Sequence, residues 1–264
     1  MDLQLKNKVA ILAASTDGLG LATAKQLLKE GASVAVCGRD QKRNASAYQT
    51  LISEADDAHV FVGTCDVTDQ NQVNDFVMKT AEKFGQIDIV ITNAGGPPTG
   101  TFETLDVDAY AKGFQLNLMS AVYFIKATLP FLKKSVCPSI LTITSRSAKA
   151  PISNLFISNV IRPAVVGLTK TLSQELGEYG IRVNSILPGW TQTDRTVYLI
   201  EKRAEKLGIS YVDCKADIEK NFPLKRMGKP EEFANAATFL VSPAAGYVNG
   251  VMLLVDGGDY PGLS

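Results

Sequence analysis

The chain has 264 residues, 45% of them apolar and 20% charged, a balance that excludes a disordered or fibrous protein. Its 27 Lys+Arg and 27 Asp+Glu give a formal net charge of +0, so no chain-wide basic field exists to hold nucleic acid or an anionic membrane. A single histidine, His59, and four cysteines without a C-x-x-C pair leave no zinc motif, and no metal is expected.

The opening stretch carries Asp2, Lys6 and Lys8 and lacks the apolar core of a signal peptide, which predicts a cytoplasmic protein. From there short apolar runs alternate with amphipathic ones. Strands are predicted at Val9 to Ala14, Ser33 to Cys37, Val60 to Gly63, Ile87 to Thr92, Ile140 to Thr144, Val183 to Leu187 and Val251 to Val255. Each run is continuously apolar, as parallel strands covered on both faces should be. Helical spacing joins Val73, Phe76, Val77, Ala81 and Phe84, and again Val165, Leu168, Leu172 and Leu176. The alternation predicts an α/β fold, a three-layer doubly wound parallel sheet of about seven strands with helices on both faces. Without a linker or an internal repeat, residues 1–264 read as one domain. The charged stretch from about 195 to 227 interrupts the rhythm and reads as a lid or substrate loop after the sixth strand. The apolar stretch Phe233 to Val255 is broken by Pro243, Gly246, Asn249 and Gly250, so it reads as helix, turn and strand.

In such a sheet ligands bind beyond the carboxyl ends of the strands, and unusual turns collect there. Ala14-Ser15-Thr16-Asp17-Gly18-Leu19-Gly20 follows the first strand and opens a helix, an arrangement that brings backbone N–H groups to a phosphate or simply makes a tight turn. Gly38-Arg39 follows the second strand, Asp66-Val67 the third, Asn93-Ala94-Gly95 the fourth and Pro188-Gly189 the sixth.

These turns, in this order and spacing, resemble the short-chain dehydrogenase/reductase family over nearly the whole chain, with the 3-oxoacyl-acyl-carrier-protein reductase and glucose dehydrogenase branch nearest in look. The family's T-G-x-x-x-G-x-G falls on Ala13 to Gly20, with Ala14 at its first glycine; Ala14 is tolerated there if its φ stays negative. The resemblance implies that Asn93, Ala94 and Gly95 support the adenosine ribose, that Asp66 contacts the adenine, and that Thr193, with Thr191 beside it, contacts the nicotinamide amide. An acid ending the second strand would take the ribose 2′-OH of NAD; Gly38 stands there, followed by Arg39, which can pair with a 2′-phosphate. NADP is therefore the expected cofactor, ahead of NAD, with Asp17 opposing weakly where many NADP-preferring relatives have a basic residue.

The family's proton chemistry uses a serine, an asparagine, a tyrosine and a lysine. Ser145 and Asn117 match the first two, but the tyrosine and lysine positions hold Ser158 and Arg162, with Ala164 to Lys170 following in register. A phenol of pKa about 10 can be drawn towards neutrality by a nearby cation, whereas a serine hydroxyl is a far weaker acid and shorter by a ring. Arg162 can hold ribose hydroxyls but cannot shuttle protons. Tyr211 and Lys215 repeat the Y-x-x-x-K spacing in the lid, where the match is accidental or a minor proton donor; Tyr198 ranks with it. Arg146 and Lys149 can hold an anionic group of the substrate or form an ordinary basic loop.

The expectation is an NADP-dependent oxidoreductase of small carbonyl or alcohol substrates, with Ser145, Asn117, Ser158 and Arg162 as the altered catalytic set. Two other readings stand: a nucleotide-binding sensor or subunit with little turnover, and a non-redox enzyme in the same pocket. By resemblance a homotetramer or homodimer is expected, built on the stripe Val165, Leu168, Leu172 and Leu176, unless that stripe faces its own sheet.

Overall fold

A computed structural model describes residues 1–263. The elements alternate as β1 (Val9–Leu12), α1 (Gly18–Lys29), β2 (Ser33–Gly38), α2 (Gln41–Ile52), β3 (Val60–Thr64), α3 (Gln70–Phe84) and β4 (Ile89–Thr92). Then come α4 (Val107–Phe114), a π-helical stretch at Gln115–Met119, α5 (Ser120–Leu132), β5 (Ser139–Ile143) and α6 (Phe156–Glu175). The chain closes with β6 (Arg182–Pro188), α7 (Asp194–Leu207), α8 (Tyr211–Glu219), α9 (Pro230–Val241) and β7 (Met252–Val255). Side-chain oxygens start most helices: Asp17, Asp40, Asp69 and Asp106 each accept a backbone N–H in the first turn of α1 to α4. Gly85 and Gly208, in the left-handed region, end α3 and α7.

All seven strands are parallel, in the order β3-β2-β1-β4-β5-β6-β7. The chain reverses its direction of travel between β1 and β4, which opens a crevice at their carboxyl ends. The predicted apolar runs are these strands, and their burial on both faces is explicit in β1. Ala10 and Leu12 join one core layer with Leu27 of α1 and Phe233 of α9. Ile11 and Ala13 join the other with Phe76 of α3 and Phe124 of α5. Leu168, Leu172 and Leu176 of the stripe pack into this second layer and Val165 is buried, so the stripe lies against its own sheet. The four cysteines are free.

The segment after β6 forms α7 and α8 and carries its own small core. Ile200, Ala204, Cys214, Ile218, Phe222 and Met227 are buried together, with Trp190 and Tyr211 packed against them. Among the described residues no helix is long and apolar enough to cross a membrane.

Candidate active site

The first turn of α1 sits beyond β1. Ser15 is fully buried, its hydroxyl donating to the Ala13 carbonyl at 2.7 Å, and a Cβ on Gly20 would collide with it. A helix start leaves its first backbone N–H groups without partners inside the helix. Ala14 differs from the expectation. Its φ is +44°, in the left-handed region that glycine occupies freely, so this alanine carries backbone strain. Asn93 holds the turn by donating from Nδ2 to the Ala14 carbonyl at 3.0 Å. A groove of about 320 Å³ opens beside Asp17, Gly18, Thr193 and Asp194.

At the end of β2 the space for a side chain on Gly38 is already taken. A Cβ there would collide with Thr16 Oγ1 and lie 2.8 Å from Asn44 Oδ1. Asn44 is buried and fixed by its Nδ2, which donates to the carbonyls of Gly38 and Gly63 and to Thr64 Oγ1. An acid that would bind a ribose 2′-OH has no room at this position. Two arginines stand beside it instead. Arg39 pairs with Asp66 at 3.6 Å and Arg43 with Asp17 at 3.6 Å, both arginines being well exposed. Burial alone would raise the Asp66 pKa, but hydrogen bonds from the Thr68 N–H and hydroxyl, with Arg39 nearby, bring it below its ordinary value. Val67 is buried behind it.

Beyond β5 lie Ser158 and Arg162, at the positions where the resemblance expects a tyrosine and a lysine. Ser158, on α6, is buried and its Oγ lies 3.0 Å from Oγ of Ser147, also buried. Ser147 belongs to a short 3-10 turn, Arg146–Ala148, whose start is capped by Ser145 accepting the Ser147 N–H at 3.1 Å. Ser147 was not foreseen, because one more serine in a polar loop carries no distinguishing pattern. Arg162, one turn after Ser158, is 7% exposed. It donates from Nη1 to the Ile143 carbonyl at 3.1 Å, its Nε has no partner, and no carboxylate among the described residues pairs with it. Removal from water pulls this guanidinium down to about 10. Asn117, buried in the π-helical stretch, donates from Nδ2 to the Gly95 carbonyl at 3.0 Å, and its Oδ1 is unbonded.

The loop after β6 completes the edge. Pro188 ends the strand, the Gly189 N–H donates to the Val255 carbonyl, and the following turn is stitched to Gly228 through Trp190 and Gln192. Thr191 is buried in that bridge, and Thr193 caps α7 by accepting the Thr196 N–H. The basic loop after Ser145 is less free than expected. Arg146 faces Asp259 as an ion pair at 3.0 Å, and Lys149 lies 5.8 Å from the ring centroid of Tyr260. Tyr211 packs against the small core of α7 and α8, and Tyr198 is exposed near Lys202.

These residues fit a nicotinamide dinucleotide. Two buried polar atoms, Asn117 Oδ1 and Arg162 Nε, lack partners, and a Cβ on Gly95 would meet nothing within 4 Å. The first turn of α1 offers N–H groups to a pyrophosphate, and Arg39 and Arg43 flank the filled Gly38 position. Among the described residues no cluster suits a metal.

Comparison with known proteins agrees. The family described as enoyl-(acyl carrier protein) reductase matches residues 13–259. A dehydrogenase/reductase SDR family member 4 from Bos taurus is 34% identical over 255 residues, covering 96% of this chain and 88% of that protein. L-sorbose reductase from Gluconobacter frateurii, solved with NADPH and L-sorbose, superposes with a TM-score of 0.95 at 29% identity, covering 100% of both chains. An NADPH-bound short chain oxidoreductase from Pseudomonas aeruginosa PAO1, described as containing an atypical catalytic center, superposes with a TM-score of 0.88 at 31% identity, covering 97% of this chain and 96% of that one.

Proposed function

The chain belongs to the short-chain dehydrogenase/reductase family, and from that premise we propose that it is an NADP-dependent oxidoreductase of small carbonyl or alcohol substrates with an altered proton relay. The observation that carries the reading is Arg162: a buried guanidinium with no carboxylate and a bare Nε is costly unless a polar ligand completes it. The bound NADPH and atypical catalytic center of the P. aeruginosa protein support the same reading.

The cofactor would lie with its pyrophosphate on the first turn of α1, its 2′-phosphate between Arg39 and Arg43, and its nicotinamide ribose on Arg162. When bound, a reduced nicotinamide supplies hydride to a carbonyl carbon. Ser145 positions the substrate oxygen, and Asn117 Oδ1 anchors a water. The Ser147–Ser158 pair can pass a proton between hydroxyls, yet neither group ionises in the physiological range. The proton therefore comes from water that the pair orders, and Arg162 offsets negative charge on the substrate oxygen. Residues 1–264 act as one unit, with 195–227 closing over the site. Exposed Val160, Pro163, Ala164 and Gly167 on α6 support assembly into a homo-oligomer by that outer face.

A binding role with little turnover is the second reading, and it rests on the absence of any tuned acid beside Arg162. The test is a fluorescence titration with NADPH and NADH for the wild type and Arg162→Ala, followed by NADPH oxidation with a panel of ketones, aldehydes and diketones. Tight NADPH binding that needs Arg162, together with turnover, supports the reading. Binding without turnover across the panel favours the second, and failure to bind NADPH overturns both.

A further inference from the structure

The protein has eight arginines, and seven of them are held by a hydrogen bond or ion pair. Arg195 has neither. It lies in the first turn of α7, the helix that opens the lid. That is a poor place for a cation, because the positive end of the helix dipole repels it. Its neighbour Asp194 suits the position, and adjacent residues on a helix point apart and do not pair. Stability does not explain Arg195.

Its side chain is exposed, and its guanidinium lies against the loop beyond β4. A Cβ on Gly96 would stand 3.1 Å from Arg195 Nη2, 3.4 Å from Cζ and 3.6 Å from Nε. The guanidinium thus rests against the bare backbone of Gly96, which follows Asn93-Ala94-Gly95, and spans from the lid to the loop beyond β4. Gly95 beside it borders open space. The other cations near this edge are committed: Arg146 to Asp259, Lys149 to the face of Tyr260, and Arg162 to the Ile143 carbonyl. A planar fork of N–H donors without a partner is suited to two oxygens of an oxyanion.

We propose that Arg195 is a specificity-determining residue that holds a carboxylate of the substrate, so that the preferred substrates are oxo acids or hydroxy acids rather than neutral ketones or alcohols. The inference rests on the oxidoreductase reading above. A cofactor pyrophosphate offers the same oxyanion chemistry, and the test separates the two sources.

The probes are 4-oxopentanoate and its neutral counterpart 2-pentanone, with wild type, Arg195→Gln and Arg195→Lys, each first titrated with NADPH by fluorescence. Arg195→Gln is expected to lower kcat/KM for 4-oxopentanoate by about 10–100-fold, mostly through KM, as loss of a charge-assisted contact should. It should change 2-pentanone and the NADPH Kd less than twofold, with Arg195→Lys in between. Equal losses on both ketones overturn the proposal, and a tenfold weaker NADPH Kd reassigns Arg195 to the pyrophosphate. If wild type reduces neither ketone, the activity reading fails separately and binding decides. In the presence of NADP, 4-oxopentanoate but not 2-pentanone should raise the Tm of wild type and lose that effect in Arg195→Gln. Identical Tm responses of the two proteins overturn the proposal.

Discussion

Ser147 Oγ stands 3.0 Å from Ser158 Oγ, and the two buried hydroxyls satisfy each other. A tyrosine in place of Ser158 would extend past this pair; under the proposed reading two hydroxyls that do not ionise stand where a phenol would. Arg162 supplies a positive charge beside this pair, and among the described residues its hydrogen bond is to the neutral Ile143 carbonyl.

Restoring the phenol and its amine should restore ordinary acid catalysis. The double variant Ser158→Tyr with Arg162→Lys is expected to gain about 10²–10⁴-fold in NADPH oxidation with a small activated ketone. Each single variant should gain far less, since a phenol needs the ammonium that lowers its pKa. Rates of the four proteins at several pH values, at saturating NADPH, check this. A double variant slower than wild type would show that the native pair serves a different chemistry.

Cofactor choice should respond to the two ion pairs in opposite directions. Arg39→Ala is expected to weaken NADPH relative to NADH by about 1.5 kcal/mol, the low end for a charge-assisted bond because Arg39 is exposed. Asp17→Asn keeps a capping oxygen on the Gly18 N–H while releasing Arg43, and should tighten NADPH several-fold with NADH unchanged. Paired fluorescence titrations read both. Gly38→Asp, the change that would favour NAD by charge alone, should instead destabilise the fold, because Thr16 and Asn44 fill its place.

Ala14→Gly should stabilise the protein. An L-residue in the left-handed region costs roughly 1–2 kcal/mol, while the extra freedom of unfolded glycine returns about 0.5–1 kcal/mol of that. A net gain near 0.5–1 kcal/mol, or about 1–3 °C in Tm, is expected in a thermal melt. No change or a loss would mean that the Asn93 contact, not the dihedral, governs the turn.

Glu232 supplies a pH signature. Hydrogen bonds from Arg226, then from the Lys229 N–H, hold its carboxyl down at about 2, against an ordinary value of 4.5. A depressed folded pKa gives stability that is present above the unfolded value and is lost as pH falls through the folded one. Wild type should therefore lose stability relative to Glu232→Gln between pH 4.5 and about 2, and the two should run parallel above pH 6. Urea midpoints across that range provide the measurement.

The sheet was legible because buried parallel strands must be apolar on both faces, and all seven runs became strands. Their edges moved where polar residues pair beyond the ladder: Asp88, before β4, accepts the Val9 N–H, and Ile87 stays outside the strand. The turns at the strand ends were legible through Gly, Asn and Pro, whose shapes the chain cannot replace. What escaped was set by tertiary contact. The sign of φ at Ala14, the partner of Ser147 and the pairing of Arg146 with Asp259 depend on residues that are not neighbours in the chain. Arg195 escaped for the opposite reason, since only its lack of partners sets it apart from other surface arginines.

The π-helical stretch at Gln115–Met119 places one more residue in the helix than its path requires. On its amino side Gly113 faces α6 so closely that a Cβ would lie 2.5 Å from Ile157 Cγ2, while on its carboxyl side the α5 face is fixed by Phe124 and Ile125 in the core. The extra residue sets the rotational phase between these two halves. Deleting any one residue from 115 to 119 would turn α4 by about 100° against α5. Either Lys112 or Phe114 would then occupy the glycine's berth, or Asn117 would swing off the Gly95 carbonyl. The helix behaves as a vernier, and the sequence can gain or lose length almost anywhere on its surface loops sooner than it can lose one residue here.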